Sequence, residues 1–144
     1  MKIHYSHKLP VSKQIAFETI LDPENLQNVI PGSESFEQNS DNCYSISSKV
    51  EFGIVNGLYK STLEIIDIKQ PDSLRLIVAS EGTGGSLRGE GTMVFNSLPG
   101  ITEVVVDGDA KVTGFAATIG QSLLGEAVKA LLKQFFDSLN YKTI

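Results

Sequence analysis

At 144 residues the chain has the length of one ordinary domain and can bury roughly 70% of its unfolded surface, so neither a metal nor a disulfide is needed for it to fold. Hydrophobic residues make up 41% and charged residues 20%, the net charge is −5, and the 12 Lys and Arg are scattered, which excludes an electrostatic footprint for nucleic acid or anionic lipid. A lone Cys43 closes no internal bridge, no run approaches the ~20 apolar residues of a membrane span, and polar residues interrupt any apolar stretch after Met1; the expectation is a cytoplasmic protein without leader or anchor.

Lys2 to Leu9 reads as a half-buried strand, because Ile3, Tyr5 and Leu9 alternate with polar residues until Pro10 stops it. Ser12 caps a short helix whose Ala16, Phe17, Ile20 and Leu21 fall at helical spacing. Asp22-Pro23 ends that helix and supplies the cap and first-turn proline of another, with Leu26, Val29 and Ile30 on one face, before Pro31-Gly32 returns the chain to extended structure. Six strands follow at hairpin spacing, near Glu34 to Gln38, Tyr44 to Phe52, Leu58 to Ile68, Ser73 to Ser80, Leu87 to Ser97 and Thr102 to Val112. Turn residues separate them at Ser40-Asp41-Asn42, Val55-Asn56-Gly57, Gln70-Pro71-Asp72, Gly84-Gly85 and Pro99-Gly100, giving an up-and-down meander.

From about Ala116 to Asn140 the period changes and predicts one long helix. Ile119, Leu123, Ala127, Leu131 and Phe135 recur every four residues, beside Gly120, Leu124, Val128, Leu132 and Phe136, so nearly half of its surface is apolar. The sheet is the only partner long enough to cover such a face, and a helix across a curved antiparallel sheet leaves an elongated apolar hollow between the layers. The chain therefore reads as a single α+β domain over residues 1–144, with one strand, two short helices, six strands and a long helix.

Alternation assigns the strand faces. Leu87, Gly89, Gly91, Met93 and Phe95 turn inward with Val104, Val106, Gly108, Ala110 and Val112, while Arg88, Glu90, Glu103, Asp107, Asp109 and Lys111 face water. The same parity sends Tyr44, Ile46, Val50, Phe52, Tyr59, Leu63 and Ile65 inward, a mainly apolar lining with few hydroxyls. Two readings of the small residues Gly89, Gly91, Gly108, Ala110, Gly120 and Gly125 stay open: they let the sheet bend and the helix approach, or they leave an internal cavity. Under the cavity reading the candidate ligand-binding residues are Phe52, Tyr59, Leu63, Met93, Phe95 and Val106 from the strands, with Phe115, Ile119, Leu123 and Ala127 from the helical region.

Catalytic constellations are weak. His4 and His7 lie on opposite faces of one strand and cannot share a metal, and His7 reads as a structural histidine. Asp107 and Asp109 share a face, but that face is solvated beside Lys111. The run Gly82-Thr83-Gly84-Gly85 leads into a strand rather than a helix and lacks the Gly-Lys-Ser/Thr ending of a phosphate loop, so it reads as a hairpin. Cys43 has no basic neighbour to favour a thiolate. Glu126, Lys129, Lys133 and Asp137 fall at surface-pair spacing on the long helix. No metal, cofactor or catalytic residue is assigned.

Several segments in order carry a family resemblance: Leu21-Asp22-Pro23-Glu24, Ile30-Pro31-Gly32, Val50 to Gly57, Gly82 to Gly85, Asp107-Gly108, Val112-Thr113-Gly114 and Gln134-Phe135-Phe136-Asp137-Ser138-Leu139. Together they resemble the carbon monoxide dehydrogenase G-subunit family, within the START-like, or helix-grip, SRPBCC superfamily. The resemblance implies a seven-stranded antiparallel sheet gripping the C-terminal helix, with a hydrophobic tunnel between them. It also implies kinship with lipid and polyketide carriers and association with molybdenum-containing carbon monoxide dehydrogenases and related hydroxylases. The chain departs from the family where Ser33 replaces a frequent Cys after Pro-Gly, and it ends at Ile144 without the hydrophobic extension of some members. The expectation is therefore attachment to a membrane only through a partner.

Three functions follow as expectations. The first is non-enzymatic carriage of a hydrophobic molecule, such as a lipid, quinone or aromatic metabolite. The second, from the resemblance alone, is docking to a molybdenum hydroxylase, with or without a ligand. The third is an enzyme of the cyclase or hydratase kind, for which the inward face offers only His7, Tyr44 and Tyr59. Oligomeric state is not set by the sequence.

Overall fold

The computed structural model describes residues 1–30, 32–51, 56–139 and 141, with the backbone alone at Phe115 and Ala116. Its elements are β1 (Lys2–Leu9), α1 (Lys13–Leu21), α2 (Pro23–Val29), β2 (Ser33–Ser40), β3 (Cys43–Val50), β4 (Gly57–Lys69), β5 (Ser73–Gly82), β6 (Gly85–Leu98), β7 (Ile101–Thr113), a 3-10 turn (Phe115–Thr118) and α3 (Gln121–Asp137). The local signals act where the sequence places them. Ser12 accepts the Ile15 N–H at 3.3 Å to start α1, and Asp22 accepts the Glu24 N–H at 3.0 Å with Pro23 in the first turn of α2. Asn42 and Gly100 take positive φ, 59° and 75°, in the β2–β3 and β6–β7 turns.

All seven strands join one antiparallel sheet in the order β1-β7-β6-β5-β4-β3-β2. From β2 to β7 the chain runs as a meander, and β1 pairs with the far side of β7. Register then lines up the inward side chains in rows across the strands. One row holds His7, Val104 and Phe95, and a second Tyr5, Val106, Met93 and Leu74. Two rows nearer the other end the inward residues become small, with Gly89 opposite Ala110; the next row holds Ile46, Ser61, Ser80, Leu87 and Val112, and the one beyond it Ser48, Tyr59, Gly82 and Gly85.

The bulky rows are covered by helices. Phe17 of α1 meets Phe95 with ring centroids 4.9 Å apart, and Phe136 and Leu139 at the end of α3 join the same buried cluster with Leu26, Val29, Leu74, Met93, Val104 and Val106. The core is thus solid at one end of the sheet.

Two expectations need correction here. The long helix starts at Gln121, not near Ala116; the preceding residues form a separate 3-10 turn, and Gly120 is the N-cap without any side-chain cap bond. Glycine costs about 1 kcal/mol in a helix interior relative to Ala, and the β-branched pair Thr118 and Ile119 before it is no better placed to carry a helix through. The apolar face is also narrower than expected: Leu123 is 59% exposed, and the buried stripe runs through Leu124, Ala127 and Phe136.

Candidate functional site

Where the rows become small, α3 stands off the sheet and a hollow of about 260 Å³ opens. Its floor is built by four neighbouring strands: Ser48 and Val50 from β3, Tyr59 and Ser61 from β4, Val78 and Ser80 from β5, and Leu87 from β6. Val112 of β7 and Ile30 close its sides, and Leu124, Ala127, Val128 and Leu131 of α3 form its roof at the three- and four-residue spacing of one helix face. None of the lining residues carries an acidic, basic or imidazole side chain. Met1 also borders it, with its ammonium bonded to the Ala110 carbonyl at 2.8 Å and 3.5 Å from Asp109.

The glycine run supports one wall. A Cβ on Gly82 would meet the Tyr59 ring at 2.5 Å, and one on Gly84 would meet the Tyr59 hydroxyl at 2.5 Å. Glycines at the β5–β6 turn therefore let the hairpin close over a large aromatic that borders the hollow. Larger troughs on the outer face of the sheet, such as the 490 Å³ one bordered by Glu37, Lys60, Glu81 and Arg88, are rich in charge. Their lining is not predominantly apolar.

The expected site residues separate into groups. Tyr59 and Ala127 lie in the lining. Met93, Phe95 and Val106 do not: they are 3%, 1% and 7% exposed within the solid core under α1 and the end of α3. Leu63 is half-buried against that core. Ile119 is half-buried outside the lining, and Leu123 faces outward, one residue and so ~100° around the helix from Leu124. Phe52 falls outside the described residues, as does the side chain of Phe115. Sequence reasoning missed Ser48, Ser61, Val78 and Ser80; parity from Tyr59 put Ser61 on the inner face, but an apolar search passed over hydroxyls.

The titratable groups lie elsewhere. His7 sits at the opposite end of the sheet, stacked on Phe136 at 5.2 Å, with Nδ1 2.9 Å from the Tyr5 hydroxyl and Nε2 3.5 Å from Asp137. Burial pushes its pKa below the usual histidine value, against the pull of Asp137. Burial and the Asp137 charge raise that of Tyr5, while the hydrogen bond from Lys133 at 2.6 Å lowers that of Asp137. His4 is on the other face, 2.5 Å from Asp107, and Cys43 lies outside the lining. Among the described residues no three His, Cys, Asp or Glu converge on a metal-sized site, and no helix is long and apolar enough to cross a membrane.

A helix held by a curved seven-stranded antiparallel sheet, with an apolar hollow between them, is the START-like fold. A START superfamily protein from Mycobacterium smegmatis shares the fold with a TM-score of 0.72 at 10% identity, over 95% of this chain and 92% of that one. A conserved protein from Geobacillus kaustophilus superposes with a TM-score of 0.91 at 26% identity, covering 99% and 100% of the two chains. A protein from Thermus thermophilus gives 0.65 at 22% identity, covering 96% of each. Residues 6–144 match the family described as the carbon monoxide dehydrogenase G subunit (CoxG), and the chain belongs to that family. No curated protein matches it in sequence.

Proposed function

We propose that this protein binds and carries a hydrophobic small molecule, a lipid, quinone or aromatic metabolite, between α3 and the sheet. The carrying observation is the 260 Å³ hollow, lined mainly by aliphatic side chains and Tyr59 with a few serines, and free of acidic, basic and imidazole side chains. Such a lining favours transfer of an apolar molecule out of water by roughly 25 cal/mol for each Å² covered. Its side chains supply no general acid or base except the Tyr59 hydroxyl, so non-enzymatic carriage is preferred over cyclase or hydratase chemistry. His7, the histidine that alternation sends inward, is engaged with Tyr5, Phe136 and Asp137 and does not border the hollow.

Membership of the CoxG family supports an accessory role beside a molybdenum-containing hydroxylase of the carbon monoxide dehydrogenase kind. Carriage and docking are compatible. Native mass spectrometry of freshly purified protein, followed by extraction, tests both. The expected result is a retained small apolar molecule, and a co-purifying large hydroxylase subunit supports the accessory role. A protein of bare polypeptide mass that binds no apolar dye contradicts carriage.

A further inference from the structure

Against the apolar walls of the hollow stand the hydroxyls of Ser48, Tyr59, Ser61, Ser80 and Ser86, and two of them pair with each other. In its floor Ser61 and Ser80 stand directly opposite each other on β4 and β5, and the Ser61 hydroxyl donates to Ser80 Oγ at 2.9 Å. Ser61 has spent its only donor. Among the described residues nothing accepts the proton of Ser80, which leaves an O–H free to rotate toward the space above. The row neighbours of the pair are Ile46 on one side and Leu87 on the other, so along its row the pair is flanked by apolar side chains.

We propose that this pair selects the ligand: the hollow takes compact apolar molecules, or apolar segments of longer ones, that present a neutral carbonyl oxygen to the Ser80 hydroxyl. The inference rests on the carriage reading above and narrows it. A carbonyl accepts the Ser80 donor and strips no charge of water. A carboxylate demands several donors or a cation. The lining side chains hold no cation and only neutral hydroxyls spread over four strands, and the Met1 ammonium is held by Ala110 and Asp109, so the desolvation of a carboxylate is poorly compensated. A plain hydrocarbon fits the walls but leaves the Ser80 proton buried without an acceptor. The volume sets the size: 260 Å³ equals roughly nine waters at ~30 Å³ each and lies just under the ~300–1,000 Å³ of usual small-molecule sites.

Three probes of one shape separate these cases: phenylcyclohexane, 4-phenylcyclohexanone and 4-phenylcyclohexanecarboxylate. Each competes for a solvatochromic apolar dye in the intact protein and in Ser80→Ala, Ser61→Ala and Ser80→Thr, with folding checked by denaturant unfolding. The ratio of ketone to hydrocarbon affinity should fall by about five- to tenfold in Ser80→Ala, the equivalent of one neutral hydrogen bond. It should fall in Ser61→Ala too, where the pair loses its orientation, and stay near the parent value in Ser80→Thr, which keeps the hydroxyl. The carboxylate should compete weakest throughout. If Ser80→Ala does not fold, Ser61→Ala carries the comparison. An unchanged ratio in the alanine variants, or the carboxylate as the best competitor, overturns the proposal while leaving carriage standing. A dye that no probe displaces and that does not bind at all overturns carriage itself.

Discussion

At the scale of single residues, the contrast between His7 and Tyr59 shows how position along one sheet face decides a role. Both point inward, yet His7 meets the end of α3 and is filled over by Phe136, whereas Tyr59 meets glycines on one side and open space on the other. Burial holds the His7 pKa below its unfolded value. In the window between the folded and unfolded pKa the unfolded chain therefore binds more protons, so stability is fully present above about pH 6.5 and is lost as pH falls. The groups facing the imidazole are Tyr5 on β1, with Asp137 and, through it, Lys133 on α3. Chemical unfolding at pH 7.5 and 5.5 should show a smaller pH loss for His7→Phe, which keeps the aromatic stack, than for the parent. Parallel losses would remove the link. Dye binding should stay within a few-fold in His7→Phe and in Cys43→Ser, since neither residue borders the hollow.

Individual elements differ in how legibly the sequence states them. The strands, α1 and α2 were readable to within a few residues because each is closed by its own chemistry: Ser12 and Asp22 as caps, Asn42 and Gly100 at positive φ, alternation between. The start of α3 was not, because Phe115, Ile119 and Leu123 keep a four-residue apolar repeat across Gly120, where the regular helix has not yet begun. The expected stripe also took in Leu123 beside Leu124 and Val128, whereas the structure turns Leu123 outward. Truncation along α3 should reveal the corrected phase. Phe136→Ala, in the packed end, should cost ~3–5 kcal/mol, whereas Leu123→Ala on the exposed face should stay within about 0.5 kcal/mol. Leu131→Ala, with the hollow already beside it, should fall between them and weaken dye binding. Equal losses at all three positions in denaturant unfolding would contradict the placement of solid core and hollow.

For the whole molecule, the sheet face was legible but its division into two halves was not. Period-two alternation says that Met93, Phe95 and Val106 face the helices, yet it cannot say which helix lies above them. That depends on β1 pairing with β7 and on α1 and α2 folding back over the bulky rows, which leaves the small rows, the Ser61–Ser80 row and the Ser48–Tyr59 row for the hollow. Hence Tyr59 and Ala127 among the expected lining residues border the space, while the strand residues nearest α1 fill the core.

The central claim is that an apolar ligand occupies the space between α3 and the sheet, and filling that space tests it most directly. Ala127 is 6% exposed and projects from α3 into the lining, so Ala127→Phe places a ring where the ligand would sit. Titration of a solvatochromic apolar dye into the parent, Ala127→Phe and Leu123→Ala is the measurement, with the fold of each confirmed by circular dichroism. The account predicts saturable, blue-shifted binding to the parent and to Leu123→Ala, and at least tenfold weaker binding to a folded Ala127→Phe. Binding of undiminished affinity to the filled variant, or none to the parent, would contradict it.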